Sequence, residues 1–185
     1  MATLVLLNGP PASGKSTLAA RFVDEYALAL NLDVDVIRGL LGRWFDQPFD
    51  AGLAARRIAI AMIESHLDAG HHVIVPQFLG RTDFIEQLDA AATRSGNAFV
   101  EVALMTSRDE AVRWFRERSS EPANQQHVDA TQLVAKSSSD DPIGEMYDAF
   151  RRVVEARPRT VVVPVVRGDI DATYRALTTA IGSVT

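Results

Sequence analysis

The 185-residue chain contains no cysteine, which excludes disulfides, thiolate metal sites and a cysteine nucleophile. It also lacks any apolar run close to the roughly 20 residues that a membrane-spanning helix needs. Met1 to Leu7 is too short for a secretion signal and has no basic start. These absences lead us to expect a cytoplasmic protein with no membrane partner. Positive charge is not in excess either: 19 Lys and Arg face 24 Asp and Glu, a net charge of −5, which argues against a broad nucleic-acid surface. Aromatic residues make up only 7% of the chain and form no basic, aromatic-studded groove. No guanine-reading N-K-x-D segment occurs, and no strand ends in the aspartate that motor ATPases use for magnesium. The four histidines, His66, His71, His72 and His127, have no carboxylate cluster beside them and read as non-catalytic.

What remains is the composition of a globular chain, 47% apolar and 23% charged, of a size that suits one domain spanning 1–185. Apolar runs and helical periodicities alternate along it. Strands are expected at Thr3 to Asn8, from Leu32 into a helix running past Arg38 toward Trp44, at His71 to Val75, at Ala98 to Met105 and at Thr160 to Val166. Helices are expected over Lys15 to Leu30, Asp50 to Ala69, Thr82 to Ser95, Arg108 to Arg118, Pro142 to Ala156 and Asp169 to Ile181. The spacing of Leu53, Ile58, Ala61, Met62 and Leu67 makes the Asp50 to Ala69 helix apolar on most sides, hence well buried. Ser119 to Asp141 is rich in Ser, Asp, Asn and Gln and reads as a mobile lid with a short helix near Asp129 to Lys136. Strand-helix alternation implies a parallel α/β sheet covered on both faces, with ligands beyond the carboxyl ends of its strands. Asn8, Asp35, Gln77, Ser107 and Arg167 fall at such ends.

One stretch names a ligand class. Gly9-Pro10-Pro11-Ala12-Ser13-Gly14-Lys15-Ser16 fits G-x-x-x-x-G-K-[ST], between a strand and a helix. A loop bounded by glycines turns its N–H groups inward, and the following helix adds its own unpaired N–H groups and positive dipole end. Gly9, Ala12, Ser13, Gly14, Lys15, Ser16 and Thr17 are therefore the candidate nucleotide contacts. Lys15 is expected on the β- and γ-phosphates and the Ser16 hydroxyl on Mg²⁺. Asp35-Val36-Ile37-Arg38 places a carboxylate and a guanidinium on one helical turn. Asp35 then serves as a base or in the magnesium shell, and Arg38 as a holder of substrate phosphate or carboxylate. A capping aspartate beside a surface arginine is the structural alternative.

A P-loop followed by D-x-x-R resembles the small P-loop kinases: adenylate kinase, gluconate kinase, bacteriophage polynucleotide kinase and chloramphenicol phosphotransferase. The resemblance implies a three-layer P-loop NTPase sandwich, with a five-stranded parallel sheet of nucleoside-kinase type and a small lid. It further implies ATP with Mg²⁺, a small-molecule acceptor, Asp35 as base and Arg38 on substrate phosphate. Gly80-Arg81-Thr82 is similar to the substrate-arginine loop of adenylate kinase, although Gln77 stands where that family has aspartate. Gln77 and Arg81 join Arg38 as candidate acceptor contacts. Arg113, Arg116 and Arg118 lie at the lid entrance, where similar kinases close arginines over ATP; Arg116 is favoured on the transferring group, with Arg113 and Arg118 on the nucleotide. Gly168-Asp169 is where similar folds place adenine. Trp44, Phe45 and Phe49 are candidates for the lining of a substrate pocket, but their helical spacing reads as core, and Lys136 reads as solvated. The competing readings are a nucleotide-hydrolysing switch ATPase, a polynucleotide 5′-hydroxyl kinase and a sugar-nucleotide kinase of zeta-toxin type.

Overall fold

The computed structural model describes residues 1–182, so the last three residues of the expected 1–185 domain lie outside it. Five strands form one all-parallel sheet: β1 (Thr3–Asn8), β2 (Leu30–Asn31), β3 (Val73–Pro76), β4 (Ala98–Met105) and β5 (Val161–Pro164), in spatial order β2-β3-β1-β4-β5. Eight helices connect and cover them: α1 (Lys15–Glu25), α2 (Val34–Gly39), α3 (Pro48–Asp68), α4 (Asp83–Arg94), α5 (Arg108–Ser120), α6 (Gln125–Ala135), α7 (Pro142–Ala156) and α8 (Ile170–Gly182). A short 3-10 turn occupies Trp44–Asp46.

Alternation along the central strand splits the core in two. Leu4 and Leu6 face a cluster built with α2, α3 and α4, whereas Val5 and Leu7 face one built with α1 and α8. The three-layer α/β sandwich expected from the sequence is therefore the observed architecture.

Three local expectations need correction. Helix α1 stops at Glu25, not Leu30: Tyr26 is extended, and Leu30 and Asn31 pair with Val73 and Ile74 instead. The pairing is a tertiary contact that helix periodicity does not register. It also moves the second strand upstream, so Asp35 lies within α2 rather than at a strand mouth.

Helix α3 is not buried on most sides. Ala51, Ala55, Ala59, Ile63 and Leu67 form a four-residue-spaced buried stripe, while Leu53, Ile58 and Met62 stay 41–44% exposed. Ile58 and Met62 form part of the wall of a cleft. In the segment expected as a lid, the helix spans Gln125–Ala135, longer than Asp129 to Lys136. Asn124 caps it by accepting from the His127 N–H (3.0 Å), and Gln125 donates to the buried Asp129 at 2.8 Å. Ser119 and Ser120 belong to α5, and the Thr131 and Ser119 hydroxyls meet at 3.0 Å.

Candidate active site

A cleft of about 1900 Å³ runs along the carboxyl edge of the sheet, lined by the loop after β1, by α2, by one flank of α3 and by α5 and α6. Asn8 anchors its floor. The Asn8 Oδ1 accepts from the N–H groups of Gly9 (2.8 Å) and Leu79 (2.9 Å), and its Nδ2 donates to the Leu79 carbonyl at 3.1 Å. One buried amide thus ties the root of the Gly9–Gly14 loop to the loop carrying Gln77 and Arg81. The sequence marked Asn8 only as a strand end.

The Gly9–Gly14 loop is curled tightly. A side chain on Gly9 would meet the Ser13 Oγ at 2.8 Å and the Leu104 backbone oxygen at 3.1 Å. Gly14 takes φ +88° just before α1, a conformation that costs an L side chain about 1–2 kcal/mol. Ala12 also has positive φ, at 66°. Into this curl Lys15 folds back, its Nζ donating to the carbonyls of Gly9 (2.9 Å) and Pro10 (2.8 Å). Burial pushes the Lys15 amine down to about 7; Arg118 lowers it further, and Asp33 and Asp35 oppose the shift. The Ser13 hydroxyl is buried without a partner. An enclosed ammonium resting on loop carbonyls, beside an unsatisfied hydroxyl, fits a polyphosphate that would replace those contacts. Ser16 and Thr17 are exposed at the mouth of the loop. Among the described residues no group of three His, Cys, Asp or Glu can hold a metal. The exposed Ser16 hydroxyl at the mouth of the loop is the group that would reach a magnesium ion carried in on phosphate oxygens.

Across the cleft, the helix cap is Asp33, not Asp35: its carboxylate accepts from the Asp35 N–H at 2.8 Å. Burial, then the Asp35 charge, raises the Asp33 pKa. With the capping task taken, the Asp35 carboxylate is free to pair with Arg38 at 2.9 Å. Arg38 lies over the Trp44 ring at 4.6 Å, and its Nε is buried without an acceptor. Gln77 and Arg81 line the same half of the cleft, the Gln77 Oε1 buried and unpartnered.

The lid arginines separate. Arg118 lines the cleft; burial lowers its pKa, Asp35 opposes that shift, and its Nε has no acceptor. Arg113 is exposed and reaches Glu110 and Glu117 only at 3.9 and 4.0 Å. Arg116, expected on the transferring group, is exposed and does not line the cleft, whereas Arg118 does. Helical phase is the reason: Trp114, Phe115 and Arg118 share the inward stripe. Arg56, on α3, lines the cleft as well, beside Arg38, Arg81, Arg118 and Arg167.

Trp114 and Gly168-Asp169 lie at the far end, where Arg167 pairs with Glu117. Trp44 and Phe45 meet edge to face at 5.0 Å and are only half-buried, and Phe49 is 72% exposed, so none of the three is core. Lys136 is exposed but caps the Phe45 ring at 3.7 Å.

The family profile described as an AAA domain matches residues 4–140. The chain belongs to that family. None of the curated proteins compared with it matches. Among solved structures, the gluconokinase from Sinorhizobium meliloti 1021 is similar at TM-score 0.56 and 16% identity, over 98% of this chain and 93% of that one. Chaetomium thermophilum Kti12, in complex with ADP-AlF3, is similar at 0.64 and 15%, over 98% of each chain. A chain of the Pnkp1/Rnl/Hen1 RNA repair complex is similar at 0.60 and 15%, over 85% of this chain and 47% of that one. At such identities the likeness establishes the fold alone.

Proposed function

We propose that the chain is an ATP-dependent phosphotransferase that moves the γ-phosphate of ATP to a hydroxyl of a small molecule. The observation that carries this reading is the joint placement of Lys15 and Asp35. The phosphate-loop amine feels the charge of the α2 carboxylate, and both line one cleft, so an anion on the loop and a hydroxyl beside Asp35 would be neighbours. A hydrolase would need only water there. The Asp35-Arg38 pair and the unpartnered Gln77 oxygen instead offer a binding surface for a second molecule.

In this reading the Gly9–Gly14 N–H groups and Lys15 orient the triphosphate, and Arg38 holds the Asp35 carboxylate in place. Asp35 takes the proton of the attacking hydroxyl. Arg118, brought in by α5 and the proposed lid, meets the charge of the group in transfer; an arginine so placed is worth roughly 10³ to 10⁵ in rate. Magnesium, when bound, supplies further neutralisation of phosphate charge. The test is transfer of labelled γ-phosphate from ATP across sugars, nucleosides and antibiotics. ATP hydrolysis that none of them accelerates, with no labelled product, would favour the switch ATPase.

A polynucleotide 5′-hydroxyl is the second reading. It is favoured by a cleft of about 1900 Å³, above the range of about 300–1,000 Å³ usual for small ligands, and by the likeness to the RNA repair chain. Labelling of an oligonucleotide end that falls steeply with salt would select it.

A further inference from the structure

Two cleft arginines are partly buried without a counter-ion. Burial lowers the proton affinity of Arg56 and of Arg118, and among the described residues neither has a carboxylate at ion-pair distance. Arg94, Arg108, Arg157 and Arg167 each do. A guanidinium withdrawn from water without a partner costs free energy that a bound anion restores. The group in transfer accounts for Arg118 in the proposed reaction, but nothing in that reaction accounts for Arg56.

Arg56 projects from α3 into the acceptor half of the cleft, 5.3 Å over the buried Phe84 ring. A cation held over a ring at this distance uses none of its N–H donors on the ring, and no carboxylate among the described residues takes them at ion-pair distance. The charges acting on it are those of Asp35, Asp83 and Arg81. Asp35 is already paired with Arg38. Arg81, exposed and also without an ion pair among the described residues, brings a second cation to the same wall.

We infer that Arg56, assisted by Arg81, holds an anionic group of the acceptor, so that the acceptor is a hydroxy compound already carrying a phosphate or a carboxylate. Calling that molecule an acceptor rests on the phosphotransferase reading; the anion site does not. A purely structural arginine that covers Phe84 would affect stability alone.

The first test is calorimetric titration of the full chain with inorganic phosphate, the loop being filled by magnesium and a non-hydrolysable ATP analogue. Phosphate should bind the native chain and Arg57→Gln, an exposed neighbour outside the cleft, and bind Arg56→Gln at least about tenfold more weakly. Absence of phosphate binding, or equal affinities for Arg56→Gln and Arg57→Gln, overturns the inference. The second test is phosphotransfer to matched neutral, carboxylate and phosphate forms of glycerol, hexose and nucleoside scaffolds. The anionic forms should be preferred, and Arg56→Gln should raise their KM about tenfold or more while leaving that for ATP nearly unchanged. Which form is preferred separates phosphate from carboxylate, and equal use of the neutral forms overturns the inference. Arg56-dependent phosphate binding with no transfer to any scaffold would instead sink the phosphotransferase reading and leave the anion site standing.

Discussion

The Asp35 Oδ1 and the Arg38 Nη1 lie 2.9 Å apart, one turn of α2 carrying both, while Asp33 relieves Asp35 of the capping role. The division of labour has a kinetic consequence. Asp35→Asn keeps the size and the hydrogen bonding but not the basicity, so turnover should fall by about 10² to 10⁴ while ATP affinity stays within a few-fold. Single-turnover transfer and nucleotide titration measure the two separately, and unchanged turnover would remove Asp35 from the chemistry.

The Lys15 amine, pushed down to about 7 by burial, ties nucleotide binding to pH. Phosphate charge favours the ammonium, so binding at pH 8 should take up close to one proton, about 0.9 for a group of that pKa. Affinity should fall by about tenfold per pH unit above 7 until the pKa of the complex is reached. Stability of the free chain moves the other way. The folded amine binds its proton more weakly than an unfolded lysine, so between about pH 7 and 10.5 the unfolded chain carries more protons and stability rises with pH. Calorimetry in buffers of differing ionisation enthalpy checks the uptake; heats that ignore the buffer would refute it.

Gly9 sits where no methyl group fits, 2.8 Å from the Ser13 Oγ and 3.1 Å from a Leu104 backbone oxygen. Gly9→Ala must push the loop off β4, at a cost of about 1–3 kcal/mol. Both the melting temperature and the nucleotide affinity should drop, since the loop that shifts is the one that binds.

Lys136 and Phe45 join the proposed lid to the segment after α2, with Nζ 3.7 Å from the ring centre. A contact of this kind at an exposed site is worth about 0.5–1 kcal/mol. Lys136→Gln should therefore open the 119–141 segment by a factor of about two to five, seen as faster cleavage there in limited proteolysis. Cleavage at the native rate would mean that this contact does not hold the segment.

Glu101, on β4 and only 4% exposed at its side chain, is matched by Arg157 at 2.7 Å. Removing the cation alone strands a buried charge. Arg157→Ala should destabilise the chain by about 3–5 kcal/mol in chemical denaturation. Removing both charges, with Glu101→Gln added, should recover much of that loss; no recovery would mean that the pair matters through packing.

Some of the site was legible in residue order and some was not. The Gly9–Ser16 loop and the Asp35-Arg38 pair could be read because each is local: a few residues whose spacing alone sets their geometry. Arg56 carries no motif that singles it out: an arginine on a helix ordinarily faces water, and only the packing of α3 shows that its flank borders a gap. Arg116 was favoured over Arg118 for a related reason. Periodicity shows which residues share a stripe, but not which stripe meets the cleft.

Residue order alone therefore determined the phosphate-binding loop, the alternation of strands and helices and the parallel sheet that follows from it, because backbone preference and hydrophobic period act over short distances. The tertiary structure decided the rest: that Leu30 and Asn31 leave α1 to pair with β3, that Asn8 clamps two loops together, and that Arg56 and Arg118, from different helices, line one cleft. Those outcomes depend on which surfaces meet after packing, and packing joins residues whose separation along the chain carries no signal of contact.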